Sequence, residues 1–197
     1  SLQSIFSKIE IENNNFEDLL KKMIKRIDEI IKIAKILKVK KISYGSSPLR
    51  KLNNSSDSLI LNNIVLKRLC EMAHKIDTDI FLEPINMKYD NYFLQNITEV
   101  CKNINKINIA NLNFLLDTGN LMSSKINIKK FFKINKKKIR HIHISDKNLK
   151  LYKHKYTIEF LKFLKTQQYV NSVTIEYIAD YGNSFLNQNN LFKLIKN

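Results

Sequence analysis

The chain has 197 residues, 44% of them hydrophobic, and carries 34 Lys+Arg against 18 Asp+Glu for a formal charge of +16. Length and hydrophobic share fit one soluble domain with a substantial core. No apolar run is long enough to cross a bilayer, no signal-peptide pattern opens the chain, and Cys70 and Cys101 are too few for a disulfide framework. These features point to the cytoplasm. The first residue is Ser1 rather than Met, so we expect a piece of a longer protein. The lysines are spread over every expected helix, as in Lys21-Lys22, Lys129-Lys130 and Lys136-Lys137-Lys138. A nucleic-acid footprint should cluster, so a nucleic-acid partner is not favoured by charge alone.

Strand and helix signals alternate along the chain. A short strand is expected at 2–6. Residues 16–37 read as an amphipathic helix, with Leu19, Leu20, Met23, Ile27, Ile30, Ile31, Ala34 and Leu37 near the 3.6-residue period. Strands follow at 39–44, 79–83, 111–117, 139–144 and 172–178. Helices are expected at 58–76, 92–104, from 128, at 157–167 and at 185–195. The six strands are short apolar runs, as expected where both faces are buried. This alternation predicts an α/β fold of the (β/α)8 TIM-barrel type, with about six of eight units present. A complete barrel needs eight units and usually about 250 residues. Either two units precede Ser1, or the barrel is open and its strand edges are covered by another chain, as in a homo-oligomer.

Four runs end on metal-ligand residues: Ile80-Phe81-Leu82-Glu83, Phe114-Leu115-Leu116-Asp117, Ile139-Arg140-His141-Ile142-His143 and Val173-Thr174-Ile175-Glu176. The steps between Glu83, Asp117, His143 and Glu176 are 34, 26 and 33 residues, each about one strand–helix unit. Parallel barrels gather the C-terminal ends of their strands at one mouth, where active sites sit. The four residues are therefore expected to converge on one ion. Each also has a simpler reading. Glu83, before Pro84, fits a solvated strand end, and Asp117 fits an N-cap of the next segment. His141 and His143 share one strand face; one suffices as ligand, and the other can orient it. Glu176 at the end of an apolar run calls for a pair or a cation. Three carboxylates and one imidazole favour Mn²⁺, with Mg²⁺ or Co²⁺ as alternatives, over a thiolate-type zinc site.

At these residues the chain resembles the xylose-isomerase-like superfamily, specifically the sugar phosphate isomerases/epimerases of the tagatose 3-epimerase and hydroxypyruvate isomerase groups. The matching pieces run in family order. They are Leu2-Gln3-Ser4-Ile5-Phe6, Gly45-Ser46-Ser47-Pro48-Leu49-Arg50, Leu82-Glu83-Pro84-Ile85-Asn86, Leu116-Asp117-Thr118-Gly119-Asn120, His141-Ile142-His143-Ile144-Ser145-Asp146 and Ser172-Val173-Thr174-Ile175-Glu176. The resemblance implies a single barrel domain over 1–197, entered at its third strand. It implies Glu83, Asp117, His143 and Glu176 as metal ligands, with Glu83 and Glu176 also the acid–base pair. His141 is implied as support for a ligand. Arg50, Asn86, Asn120, Asp146 and His154 are implied on the substrate side or behind the ligands. Asn120 stands where the family usually has His, and Leu149 where epimerases carry Arg.

Three functions compete on this reading. The first is a divalent-metal-dependent isomerase or epimerase acting on a small sugar or sugar phosphate. One Glu would remove a carbon-bound proton, and the other would reprotonate a metal-held enediolate. The second is an endonuclease IV-like DNA-repair hydrolase; the basic charge favours it, but its trinuclear site needs more histidines than the four here, and His74 falls within a helix. The third is a degenerate sugar-binding barrel, motivated by Asn120 and Leu149.

Overall fold

The computed structural model describes residues 1–6, 9–10, 15–52, 55–85, 87, 90–122, 126–145 and 155–176. The helix expected at 185–195 lies outside these residues, as do Asn86, Asp146, Leu149 and His154. Five strands are described: β1 Lys41–Tyr44, β2 Asp79–Leu82, β3 Leu112–Asp117, β4 Ile139–Ile144 and β5 Ser172–Ile175. They form one sheet in the order β1-β2-β3-β4-β5. The helices are α1 Phe16–Ile36, α2 Ser55–His74, α3 Ile97–Ile107, α4 Thr118–Met122, α5 Ile128–Asn135 and α6 Lys155–Thr166. Sequential neighbours joined through helices are the mark of parallel βα units. Among the described residues no helix is long and apolar enough to cross a membrane.

The strand expected at 2–6 is reduced to one parallel bridge, Leu2 to Ile42. Leu2 N–H donates to Lys41 O and Leu2 O accepts from Ser43 N–H. Ser4 then turns the chain at φ 51°, and Ile5 and Phe6 drop into the core instead of continuing the ladder.

The chain divides into two compact units, 1–115 and 116–197, with the division inside β3. In the first, β1 pairs β2 in parallel with Lys41 opposite Asp79 and Tyr44 opposite Leu82. β2 pairs β3 with Ile80 opposite Leu112 and Leu82 opposite Phe114. α1 buries Leu19, Met23, Ile27, Ile30, Ile31 and Ala34, the stripe that its apolar period specifies. α2 buries Val65, Leu66, Leu69, Cys70 and Ala73, with the polar Ser58 and Asn62. Burial pushes the Cys70 thiol up to about 12, so it behaves as a small apolar residue; Cys101 is only partly buried.

In the second unit β4 pairs β5 in parallel, with His141 opposite Ser172 and Ile144 opposite Ile175. An aromatic core backs these strands. Phe132 of α5 meets Phe163 at 5.5 Å and Phe160 at 6.4 Å, both edge-on.

The chain's abundant asparagines begin its helices. Asn15, Asn96 and Asn127 cap α1, α3 and α5, each side chain accepting a backbone N–H two or three residues on. Helix ends use left-handed residues that are not glycine: Lys38 (φ 50°), Asp77 (φ 54°), Asn108 (φ 50°) and Gln168 (φ 50°). Each carries the modest strain of a Cβ in that region.

A carboxylate and histidine centre at the strand ends

Asp117 is the last residue of β3, and it is 5% exposed. Both roles weighed for it in the sequence are compatible here. Its Oδ1 accepts from Asn120 N–H at 2.7 Å, the bond of an N-cap to the short helix α4. Its Oδ2 accepts from the Ser145 hydroxyl at 2.7 Å. A carboxylate offers about four acceptor positions, so both oxygens retain capacity for a further partner. Burial pushes the Asp117 carboxyl above the usual range; the Asn120 and Ser145 hydrogen bonds oppose that, and the nearby Glu176 carboxylate adds to it.

His143 is fully buried in β4. Its Nδ1 lies 3.1 Å from Glu176 Oε2, and its Nε2 lies 3.2 Å from His141 Nε2. His141 in turn reaches Ser172 Oγ through Nδ1 at 2.6 Å. This chain of contacts serves two tautomers. Without a cation, His143 Nδ1–H donates to Glu176. To use Nδ1 as a ligand, His143 must carry its proton on Nε2 and donate to His141 Nε2; His141 Nδ1–H then donates to Ser172. The Ser172 hydroxyl can donate or accept, so the relay accommodates either state. Glu176 itself follows β5, its N–H bonded to Ile144 O at 2.9 Å. One ligand atom each from Asp117, His143 and Glu176 come within 4.8 Å of one another.

Glu83 sits one residue past β2 in the first unit. Its backbone is held from both sides: its N–H donates to Tyr44 O at 3.0 Å, and its carbonyl accepts from Arg50 Nη1 at 3.0 Å. Arg50, in the 3-10 turn Pro48–Lys51, is 0% exposed. Burial lowers its guanidinium to about 10, an effect reduced by Tyr44, Glu83 and Glu99. It therefore reaches Glu83 from inside the core. Gly45 gives the Glu83 side chain its room, since a Cβ there would stand 2.8 Å from Glu83 Oε2 and 3.2 Å from Ile85 Cδ1. The first of these is the tip of a flexible side chain. Gly45→Ala is thus expected to leave the melting temperature within a few degrees while displacing the Glu83 carboxylate, which a melting curve and a crystal structure of the variant would check.

Ser145, Ser172 and Gly45 were not singled out by sequence. Ser145 had a signal: alternation along β4 places 141, 143 and 145 on one face. Ser172 had one too, as the register partner of His141, but register is not visible in a single strand. Gly45 had none.

The chain matches the family model of the xylose isomerase-like TIM barrel over residues 4–193, and it belongs to that family. No functionally curated protein matches it in sequence. Among solved structures it is similar to 3-keto-D-glucoside 4-epimerase of E. coli, at 17% identity and TM-score 0.72, over 88% of this chain and 70% of that one. It is similar to a D-tagatose 3-epimerase-like protein at 18% identity and TM-score 0.77, over 98% and 76%. It is also similar to an AP endonuclease of family 2 from Brucella melitensis, at 14% identity and TM-score 0.69, over 80% of this chain but only 62% of that one. The fold is thus one shared by sugar epimerases and an endonuclease, and here it carries a candidate metal site.

Proposed function

We propose that this chain is a xylose-isomerase-like barrel domain that works in the cytoplasm as a divalent-metal-dependent isomerase or epimerase of a small sugar or sugar phosphate. Glu83, Asp117, His143 and Glu176 hold one cation, and Mn²⁺ suits them best. The observation that carries this reading is the convergence of Asp117, His143 and Glu176; Glu83 is assigned as the fourth ligand on the family resemblance of Leu82-Glu83-Pro84-Ile85-Asn86. The donor chemistry fits the ion. Three carboxylates and one imidazole are hard, oxygen-rich ligands, and gathered carboxylates need positive charge beside them.

When bound, the cation supplies a Lewis acid for a sugar carbonyl and its neighbouring hydroxyl. The protein's own groups do the proton work. One of Glu83 and Glu176 takes a proton from the carbon beside the carbonyl, and the other returns a proton to the enediolate so formed. His141 orients His143 through the ring nitrogen that faces away from Glu176. Arg50 and Tyr44 fix the backbone of Glu83, which keeps its carboxylate from drifting. Asn120, beside Asp117, and Asn86, Asp146 and His154 are assigned to the substrate side.

Purified chain incubated in D₂O with Mn²⁺ and a panel of ketoses and ketose phosphates tests the reading. Deuterium should enter the carbon next to the carbonyl, visible by NMR, and a chelator should stop it. No incorporation into any member of the panel would contradict the activity. The likeness to an AP endonuclease and the +16 charge favour a second reading, hydrolysis of abasic DNA. Incision of an abasic duplex without deuterium exchange would select it.

A further inference from the structure

Behind Asp117 lies a closed hydrogen-bond unit that the catalytic reading does not use. Thr118 Oγ1 donates to Ser145 O at 2.7 Å and accepts from Ser145 N–H at 2.9 Å. Ser145 Oγ donates to Asp117 Oδ2 at 2.7 Å and accepts from Gly119 N–H at 3.1 Å. Asn120 N–H closes the unit on Asp117 Oδ1. Thr118, Ser145 and Asp117 are 4%, 4% and 5% exposed, so water does not compete for these bonds.

The direction of each bond is forced. As a ligand to the cation Asp117 is ionised, and an ionised carboxylate only accepts, so the Ser145 hydroxyl gives its proton to Asp117. The backbone N–H of Gly119 only donates, so it occupies a Ser145 lone pair. Thr118 Oγ1 must accept from Ser145 N–H, so its own proton goes to Ser145 O. No rotation of either hydroxyl satisfies the same partners. The hydroxyl proton of Ser145 is therefore fixed on Oδ2, and the carboxylate plane of Asp117 is fixed with it.

We propose that Ser145 is a positioning residue for the metal centre: its hydroxyl, locked by Thr118 and Gly119, presents the Asp117 carboxylate to the cation in one orientation. The inference rests on the four-residue site proposed above. Partners that orient a ligand typically change metal affinity by about 10–100-fold when removed. They do so before any substrate arrives, so the effect is readable from binding alone.

The test is titration of the purified metal-free chain with Mn²⁺ by calorimetry, comparing wild type with Ser145→Thr and Ser145→Val. These two variants have nearly the same shape and share any steric cost. Only Ser145→Thr keeps the hydroxyl. We expect Ser145→Thr to bind Mn²⁺ within about threefold of wild type, and Ser145→Val to bind at least about 10-fold more weakly, with matching melting temperatures for the two variants without metal. Equal affinities in the two variants would overturn the role of Ser145. Wild-type protein that binds no Mn²⁺ would instead overturn the metal site on which the inference rests.

Discussion

Glu176→Gln should lower sugar turnover by about 10²–10⁴-fold, the range that a positioned acid or base contributes, while the protein stays folded. The substitution keeps shape and removes basicity. Glu176 is 31% exposed in its side chain, so the amide meets solvent and needs no new buried partner. Its carbonyl oxygen can still accept from His143 Nδ1–H, as Glu176 Oε2 does at 3.1 Å. The β5 backbone bond from Glu176 N–H to Ile144 O does not involve the side chain. Nothing that holds the strand is lost, and the group that moves the proton is. Glu83→Gln should act alike, because Tyr44 O and Arg50 Nη1 hold its backbone rather than its carboxylate. Steady-state rates and circular dichroism on both variants check this. Undiminished rates in both would end the two-carboxylate mechanism.

Phe132→Ala should cost about 3–5 kcal/mol of stability, the largest loss we expect from one core substitution. Phe132 is fully buried and meets three other rings edge-on: Phe163, Phe160 and Tyr169, at 5.5, 6.4 and 5.6 Å. Edge-to-face pairs add to the burial they accompany. Removing the ring leaves a cavity bounded by three rigid side chains, and such sites collapse poorly. Phe132→Leu should lose less, because most of the volume remains. Urea unfolding of the three proteins measures the series, and a Phe132→Ala loss under about 1 kcal/mol would contradict the packing described.

Glu83, Asp117 and His143 could be read from sequence because each closes a largely buried run at the spacing of one strand–helix unit, whereas Glu176 closes β5, which is only partly buried and leaves Val173 exposed. β4 is the clearest case: 139–144 was expected and Ile139–Ile144 is observed. The helices were found, but their ends were not. α3 begins at Ile97, five residues after the expected start, because Leu94 takes a positive φ of 54° and Asn96 supplies the cap. α2 ends at His74 because Asp77 turns left-handed without a glycine to announce it. With 3 glycines in the chain, the usual stop signal is missing almost everywhere. α4 was not expected although Asp117 fitted an N-cap, because its 5 residues are too few to show a helical period. The candidate ligands were legible as residue types. Their supports were not, since Ser145 on Asp117, Ser172 on His141 and Gly45 under Glu83 depend on neighbours 28, 31 and 38 residues away in sequence.

The four-residue cation site is put to the test by a crystal grown with Mn²⁺ and measured at the manganese absorption edge. One strong anomalous peak is expected, bonded to carboxylate oxygens of Glu83, Asp117 and Glu176 and to Nδ1 of His143, with His143 Nε2 still facing His141. A crystal with no peak at these residues, or with manganese held by other side chains, would contradict it.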